Sequence, residues 1–467
     1  MQIKKILSAW MIALINVVAI CNVKNFPLMA EYGLSLVFFL IMIAIFFFIP
    51  VSLVSAELAT GWPEKGVYTW VKEGLNPCFG FLAIWLQWIE NVIWYPTILS
   101  FIATTIAYIF MPELAANKTY MLAVIIATFW LASFINFFGI HVSGWISSVG
   151  ALLGAILPVC LISFLGLVWI SHGFPSQIYF SIRALLPDLS SFNELVLLSG
   201  VTLSFAGLEM SAIHARDVAN PKKDYPKAIF LSAFIILCLT ILGALTIAII
   251  IPKHQLEFAS GGIDAFKVLF SAFGISWAVP LIAVVMTLGA LSMLSTWIVG
   301  CSRGLLATAQ DGILPSVFQK TNRYGMPIPI FILQAVIVSI FSLVFLYMPS
   351  ISASYWILSV MSSELYMVMY ILLFIAAIRL RYTHPQVERT YRVPGGKIGI
   401  WCISCLGILG ASFAMIVSYF PPSQLPVGNL AVYESIFIGG TSLFIIIPMI
   451  IYWMRKCCKK LTIQMEI

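Results

Sequence analysis

Charge is what this chain has least of. Charged residues fill 9% of its 467 positions, against about 25% in an ordinary soluble domain. A separate water-exposed domain is therefore not expected anywhere in it. Metal-ligand spacing is lacking as well. The nine Cys are scattered, mostly inside apolar runs. Cys402 and Cys405 form the one CxxC-like pair in an apolar run, and are expected to be small core residues rather than a redox centre. Among the five His, His214 alone falls near the stretch of interest, while His141, His172, His254 and His384 fall in loops. No metal site follows from these. Nothing resembles a catalytic triad, a phosphate loop or a metalloprotease helix, so neither an enzymatic activity nor a cofactor is expected. The net charge of +7 is not gathered on one face, as a nucleic-acid partner would require.

What is present is apolar length. Hydrophobic residues make up 61% of the chain, and about 20 of them in a row suffice to cross a bilayer. Hydropathy places spans near 6–29, 34–59, 79–111, 119–139, 145–170, 195–215, 226–251, 275–307, 327–348, 353–380, 398–420 and 430–454. The chain therefore reads as one all-α polytopic membrane domain of about twelve transmembrane helices. The N-terminal segment imitates a signal peptide but lacks a small-x-small cleavage site, and is expected to stay as the first span. An even number of spans puts both termini on one side. All but five of the 25 Lys and Arg then fall on that side, the exceptions being Lys24, Lys118, Arg183, Lys253 and Lys267. Positive residues favour the cytoplasmic side, so both termini are expected there, in a cell inner membrane. The tail, 455–467, is expected to be too short to fold.

Two spans carry their own interruptions. In residues 195–215 sit Ser204, Gly207 and Glu209. A carboxylate at that depth costs roughly 2.5–3.5 kcal/mol on insertion scales and should face a cavity or a partner. Gly207 permits a break, and irregular backbone is tolerated in a membrane only where it lines protein or a cavity. A Gly–Ser packing face with a hydrogen-bonded Glu remains the plainer alternative. The first span contains Asn22, Asn25 and Pro27, which also favour a break, with Lys24 among them. Lys24 either faces the cavity, pairing with Glu90 or Glu209 or attracting a ligand's second carboxylate, or snorkels to the outer interface. Breaks five spans apart suggest inverted repeats, approximately 6–170 and 195–380, with accessory helices at 398–454. In the third span, Gln87 shares a helical face with Glu90 or Asn91, so Glu90 is expected to line the cavity or pair with Lys24. Small residues in the eighth span let helices approach closely, and Trp297 there caps a ligand or fills the core. Glu364 opens the tenth span, followed by Tyr366 and Tyr370. Residues 60–78 are expected to lie along one membrane face, and 263–274 to form a short helix over the outer mouth.

Several segments carry a family resemblance: FIPVSLVSAELAT, GVYTWV, LSFAGLEMSAIHARDVANPKKDYPKAI, STWIVGCSRGLLATAQDGILP and HPQVERTYRVPGGK. In these the chain resembles the amino acid–polyamine–organocation superfamily, and within it the bacterial glutamate/γ-aminobutyrate antiporters. The resemblance implies a LeuT-type fold, a 5+5 inverted repeat plus two C-terminal helices. It implies a secondary transporter that exchanges an amino acid for a related amino acid or amine by alternating access, as a monomer or homodimer. A proton-coupled symporter on the same fold is the alternative. It implies that a ligand carboxylate meets the first break at Ile20, Cys21 and Asn22, and an ammonium meets Ser204, Phe205 and Ala206 beside Gly207. Trp297 takes the position of a packing Trp, and Glu209, with Glu90 nearby, that of proton or pH coupling. The chain departs where relatives of the superfamily carry Gly-Ser-Gly in the first break, where Lys24 stands for a Tyr and where Met293 stands for a Glu.

Overall fold

The computed structural model describes residues 8–62, 66–138, 150, 154, 156–187, 193–211, 221–422, 425 and 430–465. Among them every regular element is helical, and each of the twelve expected segments holds helix. Among the described residues nine helices are long and apolar enough to cross a membrane, or ten with one bent pair counted as a span. In chain order the elements used below are α1 (Ala9–Ile20), α2 (Phe26–Ala30), α3 (Gly33–Gly61), α4 (Gly66–Gly74), α5 (Pro77–Phe110) and α6 (Lys118–Asn136). There follow α7 (Leu157–Ser171), α8 (Glu194–Leu203), α9 (Leu208–Ser211), α10 (Pro221–Ile250) and α11 (Gly261–Ala272). The rest are α12 (Val279–Gln310), α13 (Ile328–Tyr347), α14 (Ile351–Thr383), α15 (Gly396–Ser418) and α16 (Leu430–Met465).

Helices α5 and α14 form the centre. In their most apolar stretches 83% and 78% of residues are buried, against 33% in α15 and 18% in α16. Composition explains the difference. The middle of α5 carries Gln87, Glu90, Asn91, Thr97, Ser100 and Thr104, all buried, and a polar stripe on a membrane helix must turn toward protein. Asn76 starts α5 by accepting from Phe79 N at 3.1 Å, with Pro77 in the first position, where its missing donor costs nothing. Ser350 starts α14 in the same way, accepting from Ala353 N at 3.0 Å. On α12 the small residues act as expected. A Cβ on Gly154 would lie 2.1 Å from Gly289 Cα, so this contact is made backbone to backbone.

Both interruptions are present. Between α1 and α2 the chain bends by 49°. Asn22 is extended there and its Oδ1 accepts from Lys24 N at 2.9 Å, opening a 3₁₀ turn over Val23–Asn25. Between α8 and α9 the turn passes through Gly207 at φ 102°, a conformation that disfavours any Cβ.

Each end of the helix bundle has its own ties. At the basic end Glu57 of α3 accepts from Arg381 Nε and Nη2 and from Val393 N at 2.8 Å. Arg389 Nε lies 3.6 Å from the same carboxylate, and its Nη2 donates to Leu380 O at 3.0 Å, capping the last turn of α14. Nearby, within residues 60–78, α4 presents Tyr68 and Lys72 to Asp311, at 2.8 and 3.0 Å. At the opposite end α11 packs across the first break, Gly262 against Val23 and Gly261 against Pro27. Asp264 of α11 accepts from the Tyr108 hydroxyl of α5.

Three expectations need correcting. Glu364 sits in the middle of α14, not at its start, and accepts from Ser418 Oγ of α15. Helix α16 continues through the tail to Met465, because extending a formed helix adds one hydrogen bond for each residue fixed. Cys402 and Cys405 are exposed rather than in the core, since they lie on the outward face of the peripheral α15.

Candidate functional site

The two interruptions meet at one cavity of about 50 Å³. Ile20, Lys24, Asn25 and Leu28 approach it from the first break, and Leu203, Ser204 and Ala206 from the second. Glu90, Asn91 and Trp94 supply the α5 wall. Met293 and Trp297 come from α12, and Tyr355, Ser359 and Tyr366 from α14. Five segments far apart in the chain thus converge on one buried volume. A proline-and-asparagine break and a glycine break open it.

Lys24 is 3% exposed and does not snorkel to an interface. Its Nζ lies 4.8 Å from the Trp94 ring centroid and 5.0 Å from that of Tyr355, a cation held by two aromatic faces. Among the described residues no carboxylate lies within 4.0 Å of this ammonium. The expected pair with Glu90 or Glu209 is not formed. The rings supply attraction without neutralising the charge.

Glu90 lines the cavity, and one of its oxygens accepts from Asn91 Nδ2. Glu209 sits behind the second break instead. Its Oε1 accepts from Gln87 Nε2 at 2.8 Å and from the Tyr366 hydroxyl, and its Oε2 from the Tyr370 hydroxyl at 2.5 Å. Tyr370 Oη in turn accepts from Gly207 N at 2.8 Å. One carboxylate thus ties α5, α9 and α14 together and, through Tyr370, satisfies an amide that the break leaves free. Gly207 is pinned from the other side too, since an added Cβ would lie 2.7 Å from the Trp297 ring.

Of the residues expected at the site, Ile20, Lys24, Ser204, Ala206, Met293, Trp297 and Glu90 reach the cavity. Cys21 turns to α10, its Sγ 3.8 Å from Thr240 Oγ1. Phe205 packs edge-on against Phe48 at 6.0 Å. Asn22 is spent on its own turn, its Nδ2 3.6 Å from Met293 Sδ. His214 lies outside the described residues. Trp94 and Tyr355 are cavity residues that reading the sequence misses. The spacing of Trp94 from Glu90 and Asn91, one turn along α5, was the available signal.

Comparison with known proteins bears directly on this arrangement. Residues 7–442 match the family model described as amino acid permease. The chain belongs to that family. A glutamate/gamma-aminobutyrate antiporter of Lactococcus lactis subsp. lactis is 30% identical over 439 residues, 93% of this chain and 87% of the relative. An uncharacterized transporter of Legionella pneumophila subsp. pneumophila is 44% identical over 446 residues, 95% and 96% of the two chains. A probable agmatine/putrescine antiporter of Lactococcus lactis is 23% identical over 368 residues, 78% of each. The permease is a member of the amino acid–polyamine–organocation superfamily and of its glutamate/γ-aminobutyrate antiporter family. It is a multi-pass membrane transporter of amino acids or amines, not an enzyme.

Proposed function

We propose that the permease is an inner-membrane antiporter, exchanging an amino acid for a related amino acid or amine by alternating access, with both termini in the cytoplasm. The observation that carries this reading is the convergence of two interrupted spans on one buried cavity that also holds Lys24 and Glu90. An amino acid is a zwitterion, and taking both charges out of water is costly unless each is met. Lys24 is the group for a carboxylate. Glu90, with the irregular backbone at Ser204 to Ala206, is the group for an ammonium. Ile20, Met293 and Trp297 enclose the remainder. Residues 6–170 and 195–380 act as inverted repeats that rock about the cavity, and 398–454 as accessory helices.

A loaded cavity has its charges compensated and is free to rock; an empty one leaves them exposed to each other and to the rings, and resists. That difference favours exchange over one-way movement. Glu209 and Glu90 are the groups for proton or pH coupling, being buried carboxyl groups at and just behind the cavity.

The test is counterflow in proteoliposomes. Labelled amino acid should enter vesicles preloaded with unlabelled amino acid and stay out of empty ones. Accumulation in empty vesicles driven by a proton gradient would replace this reading with symport. A fluorescent reporter fused after residue 467 should light up, as its cytoplasmic placement requires.

A further inference from the structure

The cavity contains the parts of a receptor for an organic cation, and that receptor is already filled. Two aromatic faces about a cationic nitrogen, with a carboxylate close by, are how proteins hold alkylammonium groups. Here Trp94 and Tyr355 are the faces, 4.8 and 5.0 Å from the nitrogen they share. Glu90 and Asn91 stand on the same helix as Trp94 and line the same space. The nitrogen belongs to the chain itself. It is Lys24, nearly fully buried and without a carboxylate within 4.0 Å among the described residues.

A buried lysine kept only for stability would be expected to own a counter-ion, since an unpaired buried charge is expensive. Lys24 owns none, so its cost points to ligand choice. We propose that Lys24 is a resident cation that excludes substrates of net positive charge, such as diamines and guanidino-amines, from a cage that would otherwise hold them. This deepens the carrier reading above and rests on it. Of the two counter-substrates in that reading, this leaves amino acids with no net positive charge and removes the free amine. A second unit charge about 6 Å from the first, at an effective dielectric of about 20, is disfavoured about 100-fold. Glu90 alone does not reverse this, because its attraction serves Lys24 and a bound ammonium alike.

The geometry also says what removing the charge does. Methionine is unbranched and flexible like lysine but one heavy atom shorter, so it empties the nitrogen's place and leaves the Trp94 and Tyr355 faces, with Glu90 lining the same cavity. Lys24→Met is therefore expected to create a diamine site where the wild type has none.

The experiment uses the full-length permease purified in detergent, with putrescine and agmatine as probes. Their binding is read by thermal shift, since a ligand of the folded form raises its apparent stability. Lys24→Met, and Lys24→Gln as a second neutral replacement, should bind putrescine at least about 100-fold more tightly than the wild type. A folded variant no better than the wild type would overturn the proposal. If neither variant folds, the wild type decides. Putrescine competing for amino acid exchange as well as a neutral amino acid does would overturn it, and failure to compete supports it. Because binding to the variants is read without vesicles, this result is independent of transport. Wild-type vesicles that exchange no amino acid would defeat the carrier reading instead.

Discussion

At the basic end, Glu57 holds two guanidinium groups and a backbone amide; in the cavity, Lys24 holds two rings and, among the described residues, no carboxylate. Both regions bury charge on or beside α14. In the first, every charge has found its opposite, and the cluster fastens α3, the end of α14 and the loop before α15. In the second, under the reading proposed above, a ligand's carboxylate supplies the opposite charge. There the paired charge serves to hold the molecule together and the unpaired one to receive a ligand.

The largest effect should come from breaking the paired region. Arg381→Ala leaves Glu57 with one distant guanidinium, and truncating one partner of a buried pair costs about 3–5 kcal/mol. The expected readout is a marked fall in the temperature at which the detergent-purified protein loses its monodisperse elution peak. A variant as stable as the wild type would show that the cluster is not a fastening. Next comes Gly207→Ala, which forces a Cβ toward Trp297 at an unfavourable φ, worth about 1–3 kcal/mol of strain. It should abolish exchange in vesicles while folded protein is still recovered.

Tyr370→Phe removes one hydroxyl that serves both Glu209 and Gly207, a loss of about 1–3 kcal/mol. Glu209→Gln, by contrast, should fold and flatten the pH profile of exchange; an unchanged profile removes Glu209 from proton coupling. The smallest stability change belongs to Lys24→Met. Losing two ring contacts of about 0.5–2 kcal/mol is offset by no longer burying an uncompensated ammonium, and the melting temperature should stay near that of the wild type. A collapse as large as that of Arg381→Ala would erase the contrast between the two regions.

Much of this was legible beforehand, and the reasons are local. The breaks announce themselves because Asn22, Pro27 and Gly207 act on the backbone whatever surrounds them. Glu90 is legible because a carboxylate in an apolar span must face inward. Directions about a break are not legible. Cys21 and Phe205 flank the interruptions yet point to α10 and Phe48, and which way a side chain leaves an irregular turn depends on its packing. Lys24 was open for a related reason, since a long stem near a span end reaches either water or the interior. Trp94 and Tyr355 were hidden by company, being two aromatics among many in a chain where such rings mostly fill space.

The Tyr370 hydroxyl has a consequence for timing. It accepts from the amide at the second break and donates to the carboxylate two residues further on, so straightening that span would orphan groups on two helices at once. The gap is therefore built before any cargo arrives. A guest need not spend its own affinity on opening the helix, and keeps that affinity for being chosen.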